Sequence, residues 1–292
     1  MNIAFLGTGI LGTPMAEKLL ECGHRLWAYN RTSSKAEGLR ALGATICLQP
    51  EEAIKNAEAV ILVLADARAI ESVLFKDAKE GARHAAPLQG KTVIQMGTIS
   101  PAQSLGLLKR VKAAGGQYLE CPVLGSKNEA KAAQLILMAG ATEEQFDKFQ
   151  ALFKCFGPKP RLIGEVGKAA ALKLALNQLI ASHAACFSLS LGIIVNSGID
   201  VDQFMGILNE SSLGAPMYGK KLANWLKHEY AHPNFPLKHL LKDVDLILDE
   251  ADQLKLNTAV LAAIRKVLKS AEKEGLAQSD YSAVYEMISK KG

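Results

Sequence analysis

The chain has 292 residues, which on a prior of about 100–200 residues per domain predicts two domains and a core that needs no disulfide staples. Apolar residues make up 49% and charged residues 22%, a balance that excludes a disordered chain. Thirty-four Lys and Arg against 29 Asp and Glu leave +5, scattered along the chain, whereas a nucleic-acid partner needs a clustered basic stripe. Cys22, Cys47, Cys121, Cys155 and Cys186 are odd in number and form no C-x-x-C pair, so they read as reduced thiols.

The first residues, Met1-Asn2-Ile3-Ala4-Phe5-Leu6, form a strand pattern with no basic n-region and no small-residue cleavage site, which predicts a cytoplasmic protein. Strands are then expected at 2–6, 25–29, 44–47, 59–64, 92–95 and 117–120. Helical patterns fall at 11–22, 33–42, 67–75 and 101–113. Strand followed by helix at this spacing predicts βαβ units and a parallel sheet, extended by strands at 135–139 and 159–163. After Gly164 the strands stop. A long helix is expected near 166–195, followed by helices at 240–255 (Val244, Ile247, Leu248, Ala251 and Leu254 on one face) and 258–273 (Val260, Ile264, Val267, Leu268 and Ala271).

Residues 169–195 carry one charge, Lys173, and are long enough to cross a bilayer. Asn177, Gln178, Ser182, His183, Ser188 and Ser190 interrupt the run, and polar groups at that density are expensive in hydrocarbon. A helix buried between protein domains fits better, and no membrane partner is expected.

Gly7-Thr8-Gly9-Ile10-Leu11-Gly12 is a G-x-G-x-x-G that follows a strand and opens a helix, the context that turns a weak pattern into a dinucleotide cradle. Gly7 permits the tight turn, Gly9 admits a pyrophosphate to the backbone, and Gly12 lets helix and strand approach. The helix N-terminus offers N–H groups to phosphate. Asn30-Arg31-Thr32-Ser33 stands where an NAD site carries Asp or Glu. An Arg with hydroxyls there favours the 2′-phosphate of NADP(H), although Thr32, Ser33 or Ser34 equally suits a helix N-cap. The expected fold is therefore α/β: an N-terminal Rossmann-type doubly wound sheet over 1–163 that binds the dinucleotide. An all-α domain over 164–292 follows for substrate and oligomerisation, joined through the long helix.

Lys173 is either a desolvated proton donor or a lysine whose stem packs while its head reaches water, and Asn177 lies one helical turn later. Periodicity leaves both readings open.

The segments Gly7–Gly12, Glu120-Cys121-Pro122-Val123-Leu124-Gly125-Ser126-Lys127, Gly164-Glu165-Val166-Gly167 with Lys173 and Asn177, and Phe235-Pro236-Leu237-Lys238-His239 with Lys242-Asp243 follow one another in a familiar order. In that order and spacing the chain resembles the β-hydroxyacid dehydrogenase family. Asn30-Arg31-Thr32, Gly125-Ser126-Lys127 and Phe235–His239 look most like its NADPH-dependent glyoxylate/succinic semialdehyde reductases. The resemblance implies that Lys173 is the catalytic proton donor and that Asn177 orients it and the substrate. It also implies cofactor contacts at Ile10, Leu11, Asn30, Arg31, Thr32, Leu64, Thr98 and Lys242, besides the three glycines. A loop of Val123, Leu124, Gly125 and Ser126 would hold the carboxylate of a small aldehyde or keto acid. The family usually reads Pro-Val-Ser-Gly there. Leu124 removes one donor, which leaves Ser126 to serve or shifts the site to another substrate.

His228-Glu229-Tyr230-Ala231-His232 matches the zinc-protease pattern H-E-x-x-H, but Pro233 follows directly and no third ligand is apparent, so no metal is expected. His24, His84 and His183 read as structural. His239 sits near the cofactor or simply starts a helix. Two further readings accompany the reductase: a 3-hydroxyisobutyrate-like dehydrogenase or imine reductase on the same scaffold, and a non-catalytic dinucleotide-binding interaction module. Lys173 and Asn177 being intact argue against the second. The apolar surface of 166–195 predicts a homo-dimer or homo-tetramer.

Overall fold

A computed structural model describes residues 1–75 and 88–289, and it divides into two compact units, Met1–Lys173 and Leu174–Gly292. In the first, β1 (Asn2–Leu6), β2 (Arg25–Tyr29), β3 (Thr45–Cys47), β4 (Ala59–Leu62), β5 (Thr92–Gln95) and β6 (Gln117–Glu120) pair in parallel, in the order β3-β2-β1-β4-β5-β6. This is the doubly wound arrangement in which ligands seat at the carboxyl ends of the strands. β7 (Val123–Leu124), absent from the sequence expectation, is too short for a periodic signal. It pairs antiparallel with β8 (Ile136–Gly140), which also runs antiparallel to β6. β9 (Arg161–Gly164) pairs parallel with β8. The extension expected from 135–139 and 159–163 therefore exists with reversed direction.

Strand alternation sends the two faces of the sheet into two cores. Ile3, Phe5, Ile61 and Ile94 pack with Met15 and Leu19 of α1 (Gly12–Glu21) and with Phe149 and Phe153 of the helix Glu143–Lys154. Ala4, Leu6, Val60, Leu62 and Val93 pack with Ala53 and Ile54 of α2 (Pro50–Lys55), Ile70 and Leu74 of α3 (Ala67–Phe75), and Leu107 and Val111 of α4 (Pro101–Ala113). Burial on both faces is what makes these strands continuous apolar runs.

The helix expected at 33–42 is two short 3₁₀ segments, Ser33–Lys35 and Glu37–Leu42, closed by Gly43 at φ +96°. Serines that favour turns, and Gly38 within the segment, keep it from winding as α-helix. α2, the short α5 (Lys127–Lys131) and α6 (Glu143–Lys154) are further elements beyond the expected set.

The second unit is helical. α7 (Lys168–Asn196) enters it, and α8 (Val201–Glu210), α9 (Pro216–Lys227), α10 (Leu237–Gln253), α11 (Ala259–Lys273) and α12 (Tyr285–Ile288) follow. Phe187 of α7 stacks on Tyr218 of α9 with centroids 4.3 Å apart and meets Trp225 at 4.8 Å. Leu240, Leu241, Val244 and Ile247 of α10 and Leu261, Ile264 and Leu268 of α11 complete the core. Leu254 and Val260, expected inside, are 61% and 72% exposed because each lies beside a helix end. Among the described residues, α7 alone has the length and composition to cross a membrane. It carries the buried polar residues Lys173, Asn177 and Ser188, and the His183 ring nitrogen meets the Tyr218 hydroxyl at 2.7 Å.

Candidate active site

Gly7 follows β1 at φ +108°, and its N–H donates to Tyr29 O at 2.9 Å. A Cβ at Gly7 would lie 2.3 Å from Val63 O, and one at Gly12 would lie 1.9 Å from Gly7 O, so the turn closes only with hydrogen at both positions. Around Gly9 there is no atom within 4 Å of such a Cβ. No side chain caps α1, Ile10 beside its start is 41% exposed, and Leu11 occupies the N-cap. Thr8 Oγ1 is buried with no hydrogen-bond partner. An open, uncapped helix start behind a glycine turn, with an orphaned hydroxyl beside it, fits the pyrophosphate of a dinucleotide.

Asn30 braces this loop. Its Oδ1 accepts from Thr8 N–H at 3.2 Å and its Nδ2 donates to Thr32 O at 2.9 Å, so its amide serves the main chain. Arg31 and Thr32 are exposed, and Thr32 stands at the N-cap of the 3₁₀ turn without its hydroxyl capping it. Leu64 is half-buried against Gly7, with its carbonyl 2.5 Å from where a Gly97 Cβ would be. The Gln95 side chain clamps Gly97, donating to its carbonyl at 3.0 Å and accepting from its N–H, and half-buried Thr98 follows. Gly7–Gly12, Asn30–Thr32, Leu64 and Thr98 follow β1, β2, β4 and β5. Since those strands are parallel, they share the carboxyl edge of the sheet.

Val123–Ser126 comes after β6 on that edge. Val123 is buried, Leu124 half-buried, and Gly125 takes φ +133°. Ser126 is the N-cap of α5: its N–H donates to Glu129 Oε2 at 2.8 Å and its hydroxyl to the same oxygen at 2.5 Å. A hydroxyl has one proton, and this one faces a carboxylate of its own chain.

Lys173 is 8% exposed, on the second turn of α7. That helix starts behind Gly167, at φ +101°, which has no side chain with which to cap it. The buried Glu120, at the end of β6, takes that part. Its Oε1 accepts from Gly167 N–H at 2.8 Å and Ala170 N–H at 2.9 Å, while Ser104 Oγ donates to Oε2 and meets the Tyr118 hydroxyl at 2.8 Å. Burial pushes the Glu120 carboxyl above its ordinary range, and the bonds from Ser104, Ala170 and Gly167 act against that.

Asn177 lies one turn beyond Lys173 and is 2% exposed. Its Nδ2 donates to Asp243 Oδ2 at 2.6 Å, which fixes the amide so that Oδ1 is buried without a partner. Lys242 Nζ lies 2.7 Å from Asp243 Oδ1 as an ion pair without hydrogen-bond alignment, with its side chain 25% exposed. The second unit thus brings Asn177, Lys242 and Asp243 together, and the first gathers the glycine loop, Arg31, Leu64, Thr98 and the Val123–Ser126 loop.

Glu120 and Asp243 are the residues that sequence reasoning left without a role. Their signal was an acid among apolar neighbours: Glu120 ends Tyr118-Leu119, and Asp243 shares the buried face of α10 with Leu240, Leu241 and Val244.

The H-E-x-x-H segment begins where α9 ends. His228 is its C-cap at φ +53°, so His228 and His232 are not a helical i, i+4 pair, and Glu286 holds the His228 ring at 2.5 Å. Among the described residues no group of three His, Cys, Asp or Glu could hold a metal ion. His24 faces Cys155 Sγ at 3.7 Å, and His84 lies outside the described residues.

Residues 2–166 match the NAD binding domain of 6-phosphogluconate dehydrogenase, and 167–288 match the NAD-binding domain of NADP-dependent 3-hydroxyisobutyrate dehydrogenase. The chain is 34% identical over 288 residues to glyoxylate/succinic semialdehyde reductase 1 of Arabidopsis thaliana, covering 99% of this chain and 98% of that protein. It is 26% identical to the cytokine-like nuclear factor N-PAC of Drosophila melanogaster over 97% of its own length and 47% of that protein's. In fold it is similar to 3-hydroxyisobutyrate dehydrogenase from Salmonella typhimurium, with a TM-score of 0.86 at 20% identity over 98% and 99% of the two chains. With the cradle, both domain matches and the full-length relative in agreement, the chain belongs to the β-hydroxyacid dehydrogenase family of nicotinamide-dinucleotide oxidoreductases.

Proposed function

We propose that the protein is an NADPH-dependent reductase of a small aldehyde or keto acid, of the glyoxylate or succinic semialdehyde type, with Lys173 as proton donor. The observation that carries this reading is the pairing on α7 of a buried lysine with an asparagine one turn later. Asp243 holds that asparagine so that its oxygen stays unpartnered. A buried acceptor left open one turn from a buried lysine suits a site that handles a hydroxyl, such as that of the hydroxy-acid product, which can donate to it.

The cofactor supplies the hydride when bound. The Gly7–Gly12 loop and the start of α1, with Ile10 and Leu11, would hold the pyrophosphate. Arg31 and Thr32 would hold the 2′-phosphate, with Asn30 bracing them. Leu64 and Thr98 would line the cofactor's course, and Lys242 would meet its nicotinamide end. Lys173 Nζ gives its proton to the carbonyl oxygen and so removes the charge that develops there. Asn177 Oδ1 would accept from the lysine and from the hydroxyl of the product, and so orient both. The Val123–Ser126 loop would receive the substrate carboxylate through backbone N–H groups ahead of Ser126, whose own N–H and hydroxyl are turned to Glu129. Replacing Lys173 by Met is expected to cut turnover with glyoxylate or succinic semialdehyde by roughly 10²–10⁴-fold, with NADPH binding retained by fluorescence titration. Turnover at the wild-type level would sink the assignment.

A second reading, an imine reductase on the same scaffold, draws on one observation. Leu124 offers no donor and the Ser126 hydroxyl is turned to Glu129, which weakens the loop as a carboxylate site. Assays of NADPH oxidation with glyoxylate, succinic semialdehyde and a cyclic imine separate the two.

We further propose a cytoplasmic homo-dimer or homo-tetramer with no membrane partner. Leu179, Leu189 and Ile193 of α7 are 49–57% exposed and fall on one side of the helix, an apolar stripe suited to a second copy. A monomer by light scattering at micromolar concentration would reject the oligomer.

A further inference from the structure

We infer that Glu120 is a positioning residue for Lys173: its carboxylate ties the first turn of α7 to the end of β6 and so fixes where the lysine's helix begins. The inference rests on the proposed role of Lys173.

A helix start leaves backbone N–H groups without intrahelical partners, and a Ser, Thr, Asp or Asn at the N-cap normally takes one. Gly167 precedes α7 and cannot, so the acceptor arrives from 47 residues earlier in the chain. Glu120 is 1% exposed, and both of its oxygens are engaged, Oε1 by Gly167 and Ala170 and Oε2 by Ser104. Ser104 is itself fixed on α4 and bonded to Tyr118, so the anchor has no slack on the sheet side. Strand β8 opposite makes room for it: a Cβ at Gly140 would be 2.5 Å from Glu120 Oε1. Ala170 is three residues before Lys173, within one helical turn. A shift or fraying of that turn is therefore transmitted to the lysine's backbone, and misplacement by an ångström is enough to slow a proton transfer.

The alternative is that Glu120 only stabilises the fold. A double-mutant cycle with Lys173→Met on the full chain separates the two. Glu120→Gln keeps the shape and removes the charge. It is expected to lower kcat by about 10- to 100-fold, while the NADPH dissociation constant and KM each stay within about threefold of wild type. In the Lys173→Met background the same substitution is expected to change the residual kcat by less than about twofold, because the group it acts through is gone.

An equal loss in both backgrounds, or an unchanged kcat in Glu120→Gln alone, overturns the inference and leaves the role of Lys173 standing. Wild-type turnover in Lys173→Met overturns both together. Should Glu120→Gln fail to fold, Ser104→Ala replaces it, since it frees Oε2 and leaves the amide bonds on Oε1. Its expected loss is about 3- to 10-fold, absent in the Lys173→Met background, and an equal loss in both overturns the inference.

Discussion

The two units hold their candidate functional residues with different materials. In Met1–Lys173 the cradle is backbone: a glycine turn, an uncapped helix start and the ends of parallel strands. In Leu174–Gly292 the polar elements are side chains fixed by one another, Asn177 on Asp243 and Asp243 beside Lys242. A backbone cradle fails when an atom is added, and a side-chain network fails when one is removed.

Three substitutions test that contrast, in descending order of cost to folding. Gly12→Ala puts a Cβ against the Gly7 carbonyl, which is main chain and cannot swing aside. A loss of about 3 kcal/mol is expected, read from urea unfolding, and a wild-type midpoint would break the steric account. Asp243→Ala strands the buried Asn177 Nδ2 and is expected to cost about 1–3 kcal/mol. A second copy carrying Asn177→Leu as well should recover part of that loss, because the stranded donor is then gone. Gly9→Ala meets open space, so stability should stay within about 0.5 kcal/mol of wild type. Its NADPH dissociation constant should still rise by about tenfold or more, since the new methyl would stand where the proposed cradle receives the pyrophosphate. Equal losses of stability at Gly9 and Gly12 would erase the distinction between a glycine kept for packing and one kept for a ligand.

Arg31→Ala sharpens the comparison from the cofactor side. The residue is exposed, so folding is untouched, and NADPH binding should weaken by about tenfold or more with NADH binding unchanged. A parallel loss with NADH would move the 2′-phosphate contact elsewhere.

The same contrast decides what the sequence could reveal. Gly7, Gly9 and Gly12 follow a strand and open a helix, so their meaning is local and legible. β1, β2, β5 and β6 are apolar runs bounded by turns and fall where periodicity puts them. The helix α6 carried a readable start in Thr142 and Gln145, whose capping bonds are both made, with Phe146, Phe149 and Phe153 behind it. That signal spans a single cap and one apolar face, and stands between stronger strand patterns on either side. Asp243 and Asn177 are different: 66 residues separate them, and no local pattern pairs an amide with an acid at that range. Ser126 shows a third case. Its hydroxyl looked available because a capping box at Ser126–Glu129 competes with a ligand for the same proton, and only three-dimensional geometry assigns it.

Gly140 has a consequence for where α7 begins. It lies opposite Glu120 in the antiparallel pair, and its missing side chain is the space in which the carboxylate sits. A side chain at 140 would therefore press on the acid at 120 and push its carboxylate off the start of α7, so the space left by Gly140 belongs to the anchor of that helix. Gly140 takes no unusual backbone angle, and a strand would otherwise favour a larger residue there.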